Sequence, residues 1–214
     1  MTLMNFKNPF ASLITLIVSA FMVLSVQAQD VAGQKAPELV AKDTITAVIE
    51  DIQANKELYQ NDSEAMYQMI EEKLIPSIHV TRMAGLIVGR KIREASTDQQ
   101  IEDFAKEFQT LLIKTNALAL LGFIDNETVV NFDEVNLKPG ADRVKVNGTM
   151  IGAGGNEYQI SLHMSNKDDT QWRAYNMIVA GTNVIGINRS TFQPILKKKG
   201  IDGLTETLRE KNAK

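Results

Sequence analysis

The chain has 214 residues, no cysteine, and 23 lysines and arginines against 26 aspartates and glutamates. This length suits one domain whose core needs no disulfides. The net charge of −3 lacks the basic surplus typical of nucleic-acid-binding proteins. Without cysteine there is no thiol nucleophile or thiolate metal site, and two histidines are few for a metal centre. The composition therefore predicts a mildly acidic domain with little obvious catalytic equipment, and we expect no metal, no cofactor and no nucleic-acid partner.

The first 28 residues have the pattern of a secretory leader. Lys7 is followed by an apolar run over residues 10–26, and Val26-Gln27-Ala28 suits a signal peptidase. The alternative is a membrane anchor, because the uncharged run approaches the ~20 residues that a spanning helix needs. We expect cleavage after Ala28, so that residues 1–28 are a signal peptide and residues 29–214 form one exported domain.

Apolar residues recur at helical spacing through the first half of the remaining chain. Stripes of this kind predict a helix over residues 37–54 and a second one after Ser63 that Pro76 ends or kinks. A short apolar segment follows over residues 80–89. The clearest helix begins at Ser96-Thr97, where hydroxyl caps precede glutamines at capping-box spacing, and it ends near Gly122.

Beyond residue 128 the spacing at which apolar residues recur changes from about 3.6 residues, as in a helix, to 2 residues, as in a strand. Strands are predicted over residues 128–137, 143–151, about 157–165 and 171–180, separated by turn signals, and helical character returns from Val184. Closely spaced strands of this kind pair antiparallel, with one apolar face each. The predicted fold class is α+β: a curved antiparallel sheet of about four strands with helices packed on one face, enclosing an apolar cavity and NTF2-like in outline.

Few side chains suggest chemistry. The glycines at residues 152–155 join two strands and lack the helix N-terminus that a phosphate loop requires, so a hairpin turn is the better interpretation. His79, His163 and the pair Asp168-Asp169 have no obvious catalytic partners in sequence. The run Lys197-Lys198-Lys199 before Gly200 suits a helix C-terminus, with docking to anionic head groups or an acidic partner as the alternative.

The interior, in contrast, is rich in aliphatic and methionine side chains. Three methionines, Met150, Met164 and Met177, fall on predicted strands, where β-branched residues are the ordinary choice. Methionine adapts to variable apolar shapes. An ordinary core that uses methionine as filler has the same periodicity as a hollow interior, so this pattern leaves both open.

Several segments, in the same order along the chain, resemble the MlaC (toluene-tolerance) family. They are VTRMAGLIVGR at residues 80–90, the residues around Ala95 to Leu112, WRAYNM at residues 172–177 and GIDGL at residues 200–204. The resemblance covers residues 39–208. The chain departs from the usual family pattern at Asn176, Asn183 and Ile187-Asn188.

The resemblance implies a periplasmic, monomeric phospholipid carrier of a Gram-negative bacterium. Such a carrier shuttles glycerophospholipid between an outer-membrane Mla lipoprotein–porin complex and the inner-membrane Mla ABC transporter complex, and so maintains outer-membrane lipid asymmetry. No bond is made or broken, so the chain is not expected to be an enzyme, and phospholipid is its cargo. The alternatives are a transporter adaptor without lipid cargo and a cone-fold enzyme with Tyr175 and Asn176 near the chemistry.

The residues expected to line the lipid cavity are those on the apolar faces of the predicted elements. They are Met83, Ile87, Phe104, Phe108, Leu111, Val144, Val146, Met150, Ile160, Leu162, Met164, Tyr175, Met177 and Phe192.

Overall fold

The structure is a computed structural model that describes residues 34–167 and 170–214. The predicted leader therefore lies outside the described residues. Within the described part of the chain, no helix is both long enough and apolar enough to cross a membrane. The helices are α1 (Pro37–Ala54), α2 (Lys56–Asn61), α3 (Ser63–Lys73), α4 (Val80–Val88), α5 (Arg90–Ala95), α6 (Asp98–Phe123) and α7 (Val184–Asn212).

Local sequence signals set where the longer helices begin. The Asp62 carboxylate caps α3 by accepting hydrogen bonds from two backbone N–H groups of its first turn. At α6 the Thr97 side chain accepts from the Gln100 backbone while the Gln100 side chain accepts from the Thr97 backbone, so the predicted capping box is confirmed. The short helices α2 and α5 lack a clear stripe of their own and were not predicted.

The sheet is antiparallel and open, with its five strands in sequence order. A hairpin joins the two longest strands through residues 152–156, which confirms the turn interpretation of the glycines there. The fifth strand is only two residues long, which explains why the pattern predicted about four. The strands are β1 (Val129–Phe132), β2 (Arg143–Ile151), β3 (Glu157–Ser165), β4 (Arg173–Val179) and β5 (Thr182–Asn183).

Strand β1 is shorter than its β-branched sequence suggests. The prediction extended to residue 137, but the strand ends at Phe132. Its last contact with β2 is the bond from the Asp133 N–H to the Asn147 carbonyl, 2.9 Å long. Propensity therefore placed the strand correctly, whereas its end depends on a pairing partner that sequence does not show.

Helix α7 is interrupted at Gly200. The backbone there has φ 68° and ψ −171°, a conformation almost restricted to glycine. The three lysines predicted to end a helix lie immediately before this break, and a second helical stretch begins at Ile201. Gly200 therefore lets the chain turn between the two helical pieces of α7.

The buried apolar side chains form two clusters. The sheet cluster joins β1–β3 to α1, α3 and the C-terminal half of α6, and it includes Ile52, Met66, Val146 and Met164. The helix cluster joins α4, the N-terminal half of α6 and both parts of α7. Helix α6 is long enough to contribute to both, so it forms the common wall between them.

Candidate functional site

The structure places the predicted lining residues in both clusters rather than in one. Two of them, Val144 and Met150, are partly buried against the sheet cluster, and Tyr175 is partly buried against the helix cluster. Met177 is 38% exposed and belongs to neither. The other predicted lining residues are buried: Val146, Ile160, Leu162 and Met164 in the sheet cluster, and Met83, Ile87, Phe104, Phe108, Leu111 and Phe192 in the helix cluster.

Three phenylalanine rings form the centre of the helix cluster. The rings of Phe104 and Phe108, one turn apart on α6, lie 5.9 Å apart and nearly parallel. Phe192 of α7 meets each of them edge-on at 6.1 Å. Edge-on and offset contacts are the favoured arrangements of aromatic rings, so this triad packs α7 against α6.

The sheet cluster is built from cross-strand pairs whose side chains lie on one face. Val146 lies opposite Leu162, and Val144 lies opposite Met164. Gly148 lies directly opposite Phe132 of β1, and a Cβ atom there would come within 2.5 Å of the Phe132 ring. Glycine at this position therefore allows the ring to pack across the β2 backbone.

A β-bulge explains the different positions of Tyr175 and Met177. The register between β3 and β4 shifts between His163 and Met164, so that Tyr175 is an extra residue on β4. Simple alternation predicts the same face for Tyr175 and Met177, but the extra residue breaks that rule. Tyr175 joins the helix cluster, whereas Met177 pairs with Leu162 and stays partly exposed.

Arg82 connects α4 with the end of β3. Its Nη1 atom donates a 2.8 Å hydrogen bond to the Ser165 hydroxyl, and its guanidinium carbon lies 4.2 Å from the centre of the Tyr175 ring. The Ser165 hydroxyl donates in turn to the Asp142 carbonyl at 2.8 Å. Sequence reasoning did not single out this residue, although an arginine inside the otherwise apolar α4 segment was a signal that could have done so.

The other polar groups near Tyr175 have structural partners. Asn176 is buried, and its side-chain oxygen accepts a 3.4 Å hydrogen bond from the Ile185 N–H at the start of α7. Burial, together with the nearby Lys145 charge, lowers the pKa of His163, so this imidazole is neutral at pH 7.

Among the described residues no three histidine, aspartate or glutamate side chains are grouped to hold a metal ion.

The pockets on the described surface include two that no predicted cavity residue lines. One, of about 260 Å³, lies between α4, α5 and α6 and includes Arg93 and Glu102. The other, of about 340 Å³, lies between α1 and the segment around Phe132 and Glu134. The apolar lipid cavity therefore stays a prediction, based on residues that pack against one another in the two clusters.

The elements and their order define a class of α+β protein in which helices cover the apolar face of an open antiparallel sheet. The model of the family described as MlaC protein matches residues 42–210. Because this match covers most of the chain, the chain belongs to the MlaC family.

Individual relatives extend the comparison. The toluene tolerance protein ttg2D of Pseudomonas putida is 26% identical over 186 residues, covering 87% of this chain and 82% of its own length. The intermembrane phospholipid transport system binding protein MlaC of Haemophilus influenzae is 23% identical over 214 residues, covering 98% of this chain and 95% of its own length. Among solved structures, a phospholipid-binding protein from Ralstonia solanacearum in complex with a phospholipid has a TM-score of 0.73 at 21% identity, covering 84% of this chain and 98% of its own.

Proposed function

We propose that this chain is a phospholipid carrier that holds glycerophospholipid acyl chains between its sheet and its helices. The observation that carries the proposal is the apolar interior, which extends from the sheet through α6 to α4 and α7. The family match supports it, as does the fold shared with a protein solved in complex with a phospholipid.

The cost of exposing acyl chains to water explains what such an interior does. A phospholipid carries about thirty acyl methylenes, each costing ~0.8 kcal/mol when exposed to water. A carrier must therefore surround both chains with apolar side chains, while the polar head can stay at the surface. Aliphatic and methionine side chains suit this task because they adapt to chains of different length and unsaturation.

The proposed setting is the periplasm of a Gram-negative bacterium. A signal peptide over residues 1–28 would export the chain, and residues 29–214 would act there as a monomeric carrier domain. It would exchange lipid with the inner-membrane Mla ABC transporter complex and the outer-membrane Mla lipoprotein–porin complex, so maintaining outer-membrane lipid asymmetry. Carriage breaks no bond, so the proposal includes neither catalysis nor a cofactor, and the phospholipid is cargo.

Binding of a lipid requires the packed side chains of the two clusters to separate. Phe104, Phe108, Ile87 and Val146 are fully buried against their neighbours, so acyl chains can enter only if packed side chains separate. The sheet is held by continuous strand pairing from Arg143 to Ser165, whereas α7 contains a break at Gly200. We therefore expect the helices to move and the sheet to stay in place.

The direct experiment is mass spectrometry of solvent extracts from protein purified out of a bacterial periplasm without detergent. One or two phospholipid molecules per chain are expected. A clean extract from folded protein that also stays empty after incubation with liposomes would contradict the proposal.

A matched pair of variants tests where the lipid lies. Val146→Glu or Leu162→Glu places a charge among the acyl chains, and lipid retention should be lost. Leu118→Glu introduces the same side chain at a position that is 64% exposed, and retention should be unchanged. Normal lipid content in a folded Val146→Glu protein would count against this placement.

One observation favours a second candidate, a transporter adaptor that carries no lipid. The predicted lining residues fill the two clusters as an ordinary core does. An adaptor would bind the transporter complex equally well with or without liposomes present. It would also yield clean solvent extracts, so the extraction experiment separates the two candidates.

A further inference from the structure

Arg82 lies where the two apolar clusters meet. Its neighbour in sequence, Met83, is buried in the helix cluster, and its hydrogen-bond partner Ser165 follows Met164 of the sheet cluster. The guanidinium is part-buried, and Ser165 is 2% exposed. A cation therefore sits beside both regions that the proposed function assigns to acyl chains.

The charge of Arg82 is not neutralised by the described protein. No carboxylate within residues 34–167 and 170–214 forms an ion pair with it. Its bonded partner is a neutral hydroxyl, which is itself engaged by the Asp142 carbonyl and the Lys167 N–H. Tyr175 offers the face of its ring, which attracts a cation but accepts no conventional hydrogen bond.

Donor groups of Arg82 are also available to a ligand. A guanidinium has five N–H donors in a planar fork, and the described residues accept only from Nη1. Its position is fixed on two sides, by Ser165 at one nitrogen and by Tyr175 against its plane. A fixed fork with unused donors is the geometry that binds phosphate oxygens in pairs.

We propose that Arg82 binds the phosphate group of the phospholipid cargo, at the junction of the sheet cluster and the helix cluster. This inference rests on the proposed function. A phosphate there supplies a counter-ion that no described residue provides for Arg82, while the acyl chains enter the apolar regions beside it. Head-group phosphate, rather than the alcohol attached to it, is then the recognised feature, so phospholipids with different head groups should bind alike.

The test compares two lipids that differ only in the phosphate-containing head. Lipid-free protein is incubated with liposomes containing phosphatidylglycerol and diacylglycerol with the same acyl chains, separated by gel filtration, and its lipid is measured by mass spectrometry. We expect wild-type protein to retain phosphatidylglycerol about tenfold better than diacylglycerol, as charge-assisted bonding predicts. In Arg82→Gln the ratio should fall to near one, with diacylglycerol retention unchanged.

Two further variants separate phosphate binding from a structural role. Arg82→Lys keeps the charge but loses the fork, and it should retain part of the preference. Arg90→Gln removes an arginine that is 89% exposed and paired with Glu94 at 2.7 Å, and it should behave as wild type. Thermal melting of each variant verifies that the retained lipid is measured on folded protein.

The outcomes distinguish this inference from the proposed function. An Arg82→Gln protein that keeps the phospholipid preference, or that loses both lipids equally, overturns the phosphate assignment while leaving lipid carriage intact. A wild-type protein that retains neither lipid overturns the proposed function as well. Inorganic phosphate is tested by calorimetry on lipid-free protein: Arg82-dependent binding of it, without any phospholipid preference, would identify free phosphate as the ligand and overturn the lipid assignment.

Discussion

The sheet cluster and the helix cluster are stabilised in different ways. Beside the sheet cluster, α1, α2 and α3 are joined by a polar network in which the Asp51 carboxylate accepts from Tyr59, Asn55 and Lys73. The helix cluster has an aromatic triad at its centre, and its α7 wall is interrupted at Gly200. Directional bonds fix relative positions, whereas apolar contacts allow helices to slide. We therefore expect the helix cluster, rather than the sheet cluster, to open when lipid enters.

The largest effect on stability is expected from the aromatic triad. Phe104→Ala removes a fully buried ring that contacts both Phe108 and Phe192, and it should lower the free energy of unfolding by about 3–5 kcal/mol. Urea denaturation measures this loss. Leu118→Ala, at an exposed site on the same helix, should change it by less than about 0.5 kcal/mol. Equal effects of the two would show that the triad does not stabilise the helix cluster.

The polar network should contribute less, and in a way that depends on pH. Burial alone would raise the pKa of Asp51, but the bonds from Tyr59, Lys73 and Asn55 outweigh it, so the pKa lies below its ordinary value. Asp51→Asn should lower the free energy of unfolding by about 1–3 kcal/mol at pH 7. Because the folded-state pKa is depressed, this contribution is present above the unfolded pKa and is lost as pH falls below about 4.

The same network predicts a second change at high pH. Burial and the bond to Asp51 raise the pKa of Tyr59 to about 12, from the ordinary value of 10.0. A raised pKa means that the neutral phenol stabilises the fold fully below pH 10 and that this contribution is lost between pH 10 and 12. Chemical denaturation across both pH ranges tests the network. Tyr59→Phe should remove the alkaline loss, and an unchanged alkaline profile in that variant would contradict the assignment.

An effect of similar size to that of the polar network tests the break in α7. Gly200→Ala meets no neighbouring atom, so its expected cost of about 1–3 kcal/mol comes from backbone strain at positive φ. Gly122→Ala, which also faces open space but lies within α6, should gain up to about 1 kcal/mol from helix propensity. If the break is part of the native fold, Gly200→Ala should lower the melting temperature and Gly122→Ala should raise it. Equal shifts would indicate that α7 is continuous.

The smallest effect is expected at the contact between α6 and the second part of α7. The Gln100 amide nitrogen donates to both carboxylate oxygens of Asp202, at 2.9 and 3.0 Å, while its oxygen completes the capping box. Gln100→Ala should lower the free energy of unfolding, measured by urea denaturation, by about 1 kcal/mol. Gln99→Ala loses only a bond to Asp103 within α6, so it should cost less. Equal costs would mean that the contact with Asp202 adds nothing.

Sequence predicted local structure better than it predicted the interior. The bounds of α1 and β2 and the cap of α6 follow from periodicity and capping chemistry, which act within a few residues. The division of the core into two clusters depends on which faces meet in three dimensions, and periodicity carries no such information. The bulge at Tyr175 depends on strand register in the same way. The MlaC resemblance was confirmed by the family match, because it used collinear segments along almost the whole chain.

Polar residues were the least predictable part. Arg82, Tyr59 and Asn176 each owe their role to partners far away or on another element, and their immediate sequence does not reveal those partners. Alternation along β3 places Ser165 on the side opposite Met164, yet it is buried beneath Arg82 and the turn at Lys167. Strand alternation describes the middle of a sheet and fails at strand ends, where other elements cover both faces.

The most direct test of lipid carriage is native mass spectrometry of lipid-free protein before and after incubation with phosphatidylglycerol liposomes. The proposal predicts a new species that is heavier by the mass of one or two phospholipid molecules, and its absence in Val146→Glu. A folded wild-type protein that shows only its own mass after incubation would contradict lipid carriage and favour the adaptor.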